Sequence, residues 1–282
     1  MNRTLALVVR SLLLCAALGS TFDTADAATI RSWDSANQVG GDLFLGFQDN
    51  GYMTFRNTLL SRGHVVLTGI SELTADNLLG VDVFLWGLSE HVASSSEQSV
   101  LSAFINAGGL IILETDTLAS EQASANSAYA ALGLGMIDPV STDPVYPGGG
   151  TPDQGTFANI VTSTTVGPLG DLRGLTWGGT RGPSVPGGGA VIGAVGAANK
   201  WVEYAVGSGG VLGVADPYGW DIFTNNAPTD PEPGPYYNPN NVTAYLNFIQ
   251  NPAAIPEPST SMLLGLGLVG LAARRRLSHQ SV

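Results

Sequence analysis

The stretch GVDVFLWGLSEHVASSSEQSVLSAFINAGGLIILETDT (80–117) leaves the chain few folds to choose from. Val81–Trp86 is a continuous apolar run broken by one charge, Asp82. Such a run suits a strand buried on both faces of a parallel sheet. Ser94 and Glu97 then form the S-x-x-E pattern of a capping box, where a helix starts. Val100, Leu101, Phe104 and Ile105 follow at helical spacing on one face, and Gly108-Gly109 stops the helix. Leu110–Leu113 is a second all-apolar strand. Strand, helix and strand in this order make a βαβ unit with a right-handed crossover. Its two strands demand a parallel sheet with helices on its faces.

The flanking sequence continues the rhythm. Thr29–Trp33 reads as a first strand, Tyr52–Ser61 as a helix ending at Gly63, and His64–Thr68 as a strand. Later, Trp201–Tyr204 and Val211–Val214 read as two strands joined by a tight turn at Gly207–Gly210, with Asp216-Pro217 closing the second. Asn241–Gln250 reads as an amphipathic helix with Val242, Tyr245, Leu246 and Ile249 inward. Between Asp138 and Gly189 the pattern breaks. Pro147–Gly150 and Pro186–Gly189 are Pro-Gly-Gly-Gly runs among many Thr and Ser, which predicts irregular loops and short strands. Pro228–Pro239 is a further loop with a Pro-Glu-Pro at 231–233. No internal repeat is present. The expected fold is α/β: a mostly parallel sheet flanked by helices, with a loop-rich insertion.

Both ends of the chain differ from this middle. Arg3 and Arg10, the apolar Leu12–Leu18 and the small-x-small site Ala25-Asp26-Ala27 stand in the order of a secretory leader, so residues 1–27 read as a signal peptide cut after Ala27. Cys15, the sole cysteine, lies inside it. A chain starting at Ala28 has no disulfide, no thiolate ligand and no thiol nucleophile. Its 28–252 segment is long enough for one well-buried domain that must be held by its core. Between 28 and 255 six basic residues (Arg31, Arg56, Arg62, Arg173, Arg181 and Lys200) face twenty acidic ones, a net near −14. That surface repels phosphate backbones and argues against nucleic acid as a partner. Residues 253–282 carry Pro256-Glu257-Pro258, then the apolar Met262–Ala273, then Arg274-Arg275-Arg276. The apolar run has 12 residues, against the roughly 20 of a comfortable span.

In this order the three parts resemble the PEP-CTERM sorting signal of Gram-negative bacteria. The resemblance covers about 28 residues. It implies a short hydrophobic helix held transiently in the inner membrane, with Arg274–Arg276 on the cytoplasmic side. The prolines keep the preceding chain extended for the processing enzyme, an exosortase. Signal peptidase and exosortase are then partners during export, and the product goes to the cell envelope or outside. The middle of the chain is similar to the class I glutamine amidotransferase-like superfamily, a flavodoxin-like α/β fold. The likeness rests on the 80–117 stretch and on GSGGVLGVADPYGWD (207–221), followed by the terminal helix. Active members carry a Cys nucleophile on a tight turn after the strand matching Leu110–Leu113. Here that turn reads Glu114-Thr115-Asp116-Thr117, so the family's thiolate chemistry is absent.

Ligands of open α/β sheets bind beyond the carboxyl ends of the strands. Glu90 and His91 follow one strand, Glu114 and Asp116 the next, and Asp216 and Asp221 the last. If they converge, Glu90, Glu114, Asp116 and Asp216 form a candidate ligand site, for Ca²⁺ through oxygen ligands or for acid–base work; otherwise they cap helices and loops. His64 opens a strand, His91 stands alone in a loop and His279 is in the tail, with no His–Glu pair to suggest zinc. Val206–Gly210 holds a Gly-Ser-Gly, but in a hairpin setting rather than a nucleophile elbow. Asn241-Val242-Thr243 matches a glycosylation acceptor by coincidence. Trp201, Tyr218, Trp220, Tyr236 and Tyr237 either stack on sugar rings or belong to the core. The reading that results is a non-enzymatic surface or matrix protein, with no cofactor, that binds or organises exopolysaccharide. The alternative is a hydrolase working through strand-end carboxylates.

Overall fold

The computed structural model describes residues 27–34, 37, 53–115, 118–138, 153–180, 183–215 and 238–250. In chain order these form β1 (Thr29–Ser32), α1 (Met53–Ser61), β2 (Val65–Val66), β3 (Val83–Gly87), α2 (Ser95–Asn106), β4 (Leu110–Thr115) and α3 (Ala119–Ala131). There follow β5 (Asp153–Thr156), β6 (Val166–Gly167), β7 (Gly170–Asp171), β8 (Thr176–Thr180), β9 (Ala190–Val195), β10 (Ala198–Val206), β11 (Gly209–Ala215) and α4 (Pro239–Ile249). The main sheet has the order β2-β1-β3-β4-β11-β10-β9. Its first five strands are parallel, while β10 runs antiparallel to both neighbours. The fold is α/β with a mostly parallel, mixed sheet flanked by helices. β5–β8 and β6–β7 are small antiparallel pairs within the loop-rich insertion.

The βαβ unit forms as its sequence predicts. Ser94 caps α2: its Oγ accepts the Glu97 N–H, and the Glu97 carboxylate accepts the Ser94 N–H at 2.9 Å. Leu101, Phe104 and Ile105 are buried along one face of α2. Gly108 takes φ +104° to end the helix, a conformation that costs glycine nothing. The hairpin between β10 and β11 also forms. Val206 pairs with Gly209, leaving Gly207-Ser208 as a two-residue turn with Gly207 at φ +58°. Asn238 caps α4, and Pro239 occupies its first turn.

Alternation along the central strands sorts their side chains into two cores. Val83 and Leu85, Leu110 and Ile112, and Leu212 and Val214 face one side, under α1, α4 and the β5–β8 pair. Phe84 and Trp86, Ile111 and Leu113, and Val211 and Ala215 face the other, under α2 and α3. Two elements have no counterpart in the sequence reading. α3 is built from ASEQASANSAYAA and buries Ser124, Ala125, Ser127, Ala128 and Tyr129. Small residues let a helix approach a sheet closely but give no apolar periodicity to read. β9 is an alanine- and glycine-rich strand, half-buried at the edge of the sheet.

The tightest backbone approach lies where α2, β4 and β11 meet. A Cβ added at Gly209 would overlap the Gly109 carbonyl oxygen and press on the Ile105 carbonyl at 2.7 Å. Both obstacles are backbone and cannot swing aside. Gly209→Ala is therefore expected to lower unfolding free energy by about 1–3 kcal/mol. Gly187→Ala meets nothing within 4 Å and is expected to change it by less than about 0.5 kcal/mol. Urea denaturation of the two variants beside the parent checks the difference.

Candidate functional site

The strand order reverses direction at β1, between β2 and β3, and the crevice beyond the carboxyl ends of β1 and β3 is where such sheets hold ligands. Near it, side chains that follow β1 and β3 pack against one another. Trp33, fully buried after β1, meets Phe84 and Trp86 edge-on at ring separations of 5.4 and 5.0 Å. The His91 ring lies 4.6 Å from it at 47°. Below them the Ser89 hydroxyl accepts the His91 N–H at 3.0 Å and donates to the Asn37 carbonyl at 2.8 Å. The same carbonyl accepts the Glu90 N–H at 3.0 Å.

His91 is not alone, as its place in a loop suggested. Its Nε2 lies 2.9 Å from both carboxylate oxygens of Glu97. The two residues are six apart, and the capping turn at Ser94 folds the loop back so that they meet. Glu97 is buried and also accepts from the Leu73 N–H at 3.1 Å and the Ser94 hydroxyl at 2.8 Å. Burial alone would raise its pKa. The bonds from the Ser94 N–H, His91, the Leu73 N–H and the Ser94 hydroxyl outweigh that and bring it down to about 2. Glu97 thus closes a capping box, anchors the 71–75 loop and orients His91. Among the described residues no hydroxyl or second carboxylate is bonded to the imidazole.

The predicted strand-end carboxylates are not brought together as a described group. Glu90 is exposed and accepts from the Ser120 hydroxyl of α3 at 2.8 Å. Glu114 is buried at the end of β4 and accepts from the Tyr245 hydroxyl of α4 at 2.7 Å. α3 and α4 cover opposite faces of the sheet, so the two carboxylates work on opposite sides. Asp116, Asp216 and Asp221 lie outside the described residues. Among the described residues no three His, Cys, Asp or Glu side chains stand together as metal ligands. Trp201 belongs to the core, edge-on to Phe157 at 5.6 Å and Tyr245 at 5.4 Å, so it offers no face to a sugar. Tyr218, Trp220, Tyr236 and Tyr237 lie outside the described residues. Asn241 is buried, and its amide donates to the Gly178 carbonyl at 2.7 Å, which occupies the nitrogen a glycan would need.

The opposite end of the sheet carries a cavity of about 630 Å³ between α2 and the 75–82 loop. Leu78, Leu79, Val81, Val100 and Phe104 line it. Asp82, also at its edge, gives its Oδ2 to the Thr29 N–H at 2.7 Å. The sequence offered no sign of the contacts Trp33–His91 and Tyr245–Glu114, whose partners are 58 and 131 residues apart in the chain. A glutamate at a helix cap with a histidine shortly before it was the one legible signal.

Comparison with known proteins places one segment in a family. The PEP-CTERM protein-sorting motif matches residues 254–276. The protein is accordingly exported, handled by an exosortase, and sorted to the cell envelope or surface. No curated protein matches the chain. Among solved structures, the "mmIFT52 N-terminal domain" aligns at 15% identity over 69% of this chain and 89% of that one, with a TM-score of 0.49. A cold-adapted beta-galactosidase from Rahnella sp. R3 aligns at 13% identity, with a TM-score of 0.48. That alignment takes in 82% of this chain but spans only 33% of the galactosidase. The residues of the sorting motif lie outside those described, as do residues 1–26, which the sequence reading assigns to a leader. Among the described residues no helix is long and apolar enough to cross a membrane.

Because the folded pKa of Glu97 is depressed from 4.5 to about 2, its contribution to stability is present above the ordinary carboxylate value. It is lost as pH falls through that window towards 2. Glu97→Gln is expected to remove this part of the acid dependence and to cost about 1–3 kcal/mol at neutral pH, because a buried acceptor of several donors is lost. Thermal melts of parent and variant between pH 2 and 7 check both the sign and the window.

Proposed function

We propose that the folded domain is a non-catalytic binding or structural module, carried to the cell surface by its sorting motif, where it associates with exopolysaccharide. The observation that carries this reading is the fate of the polar groups beyond the strand ends. Those described are engaged within the fold: Glu114 on Tyr245, Glu97 on His91 and Ser94, and Ser89 on Asn37. A general acid–base pair needs a carboxyl or imidazole facing a shared space where a substrate sits, and Glu90 and Glu114 lie over opposite faces.

The sheet also supports the likeness to the class I glutamine amidotransferase-like superfamily as a scaffold. Its parallel part, β2-β1-β3-β4-β11, has the 2-1-3-4-5 order of flavodoxin-like sheets. Where active members of that superfamily carry their nucleophile, β4 here ends in Glu114-Thr115, both buried, which supports reading the likeness as one of scaffold without thiol chemistry. The net charge of −12 over the whole chain favours neutral or cation-bridged polymers over polyanions.

The purified mature protein is expected to co-sediment with exopolysaccharide from its native host and to release no reducing ends from it. Release of reducing ends, or of peptide from envelope preparations, that disappears in Glu90→Gln would instead establish the carboxylate-dependent hydrolase.

A further inference from the structure

His64 occupies the end of the sheet opposite the ligand crevice, and it touches both ends of the folded domain. Its Nδ1 accepts the backbone N–H of Ala28 at 3.0 Å. Its Nε2 lies 3.0 Å from the side-chain nitrogen of Gln250, the residue that follows α4. A neutral imidazole that accepts at Nδ1 carries its proton on Nε2, so two donors face one another there. The Gln250 side-chain oxygen, meanwhile, is buried without a partner. Rotating the amide by half a turn places that oxygen opposite Nε2–H and satisfies both groups, a choice of orientation that the hydrogen-bond network decides. The chain Ala28 N–H, His64, Gln250 is then continuous.

Ala28 is 1% exposed, while Ala27 just before it is exposed. The boundary between buried and exposed chain coincides with the leader cleavage site read from Ala25-Asp26-Ala27. On the next residue, the Thr29 N–H donates to Asp82 Oδ2 at 2.7 Å, so a carboxylate stands beside the same short stretch. Arg62, just after α1, is the charged group whose field lowers the His64 pKa.

We propose that His64 and Asp82 form a docking site for the α-amino group created when the leader is removed, and that His64 passes this contact on to Gln250 at the root of the sorting tail. The proposal rests on the reading of the chain as exported and cut after Ala27. Hydrolysis adds water across the Ala27–Ala28 peptide. Ala27 leaves with a carboxylate, and Ala28 gains an amine that takes up a proton at neutral pH. One hydrogen of the ammonium keeps the bond to His64 Nδ1, now charge-assisted and stronger than the amide bond it replaces. The others face the solvent side vacated by Ala27, with Asp82 as the neighbouring counter-charge. Capture of a chain-terminal amine by fixed acceptors is a known mode of recognition. Removal of the leader thereby tightens the closure between the first strand and the helix that ends at the tail.

The site needs a neutral His64. Burial, and then the charge of Arg62, hold its pKa below the ordinary imidazole value of 6.5, against the raising effect of the Ala28 hydrogen bond. A lowered imidazole contributes stability that is complete above 6.5 and declines as pH falls below it. The advantage of a free N-terminus therefore fades in the same direction.

The test compares the mature chain beginning at Ala28 with the same chain beginning at Ala27 and with an Nα-acetylated Ala28 form. At pH 7.5 the Ala28 chain is expected to melt highest, and its α-amine to react with acetic anhydride at least about tenfold more slowly than in urea. His64→Gln is expected to bring the three melting temperatures together and to expose the amine. Should that variant fail to fold, the labelling of the unmutated Ala28 chain still decides the matter. Equal melting of the three forms, with labelling as fast folded as unfolded, would overturn the proposal. N-terminal sequencing of the protein from its native host separates the two layers. A start other than Ala28 refutes the cleavage reading, whereas the labelling result refutes the docking site.

Discussion

Burial of β4 on both faces is the constraint from which the rest of the structure follows. All six residues from Leu110 to Thr115 are buried. Fully burying a single Leu or Ile side chain is worth about 1.5–3 kcal/mol, so neither face can be left to water. β3 and β11 must pair with its edges, and helices must cover both sides. The capping box at Ser94 and Glu97 fixes where α2 begins, and the glycines at 108 and 109 return the chain to the sheet within two residues. The Gly209 contact with the Gly109 carbonyl sets how closely β11 can enter beside β4.

That framework was legible because it is encoded locally. Runs of apolar residues, a capping box and a Gly-Ser turn each speak for their own segment. The layout of the candidate site was not. The Trp33 and His91 rings, and the Tyr245 hydroxyl and Glu114, meet only because the sheet order brings distant strands and helices together. α3 is silent in the sequence for a different reason: apart from Glu121 and Tyr129 its buried face is alanine and serine, so no large apolar residues recur at helical spacing. Glu97 shows the limit of local reading most plainly. Its role as a cap was visible in the sequence, but its bonds to His91 and to the Leu73 N–H depend on how the loop folds back.

The two ends of the sheet divide the work. At the carboxyl ends of β1 and β3, Trp33, His91 and Ser89 pack and hydrogen-bond within the fold. At the opposite end, His64 links the Ala28 N–H to Gln250, near the first and last of the described residues. In a protein bound for the envelope this arrangement is a domain held by a two-sided core and delivered by its C-terminal sorting motif. Its net charge of −12 disfavours close approach of phosphate polymers.

The central claim is that the sorting motif at 254–276 is processed and that the domain is thereby delivered outside the cytoplasm. Intact mass of the protein from its native host, beside a host lacking the exosortase, tests it most directly. The account requires a chain without Met262–Ala273 and Arg274–Arg276 in the native host, ending near Pro256–Ser259, and an unprocessed C-terminus in the mutant. Retention of Arg274–Arg276 in both hosts would contradict it and would leave the apolar run as a plain anchor.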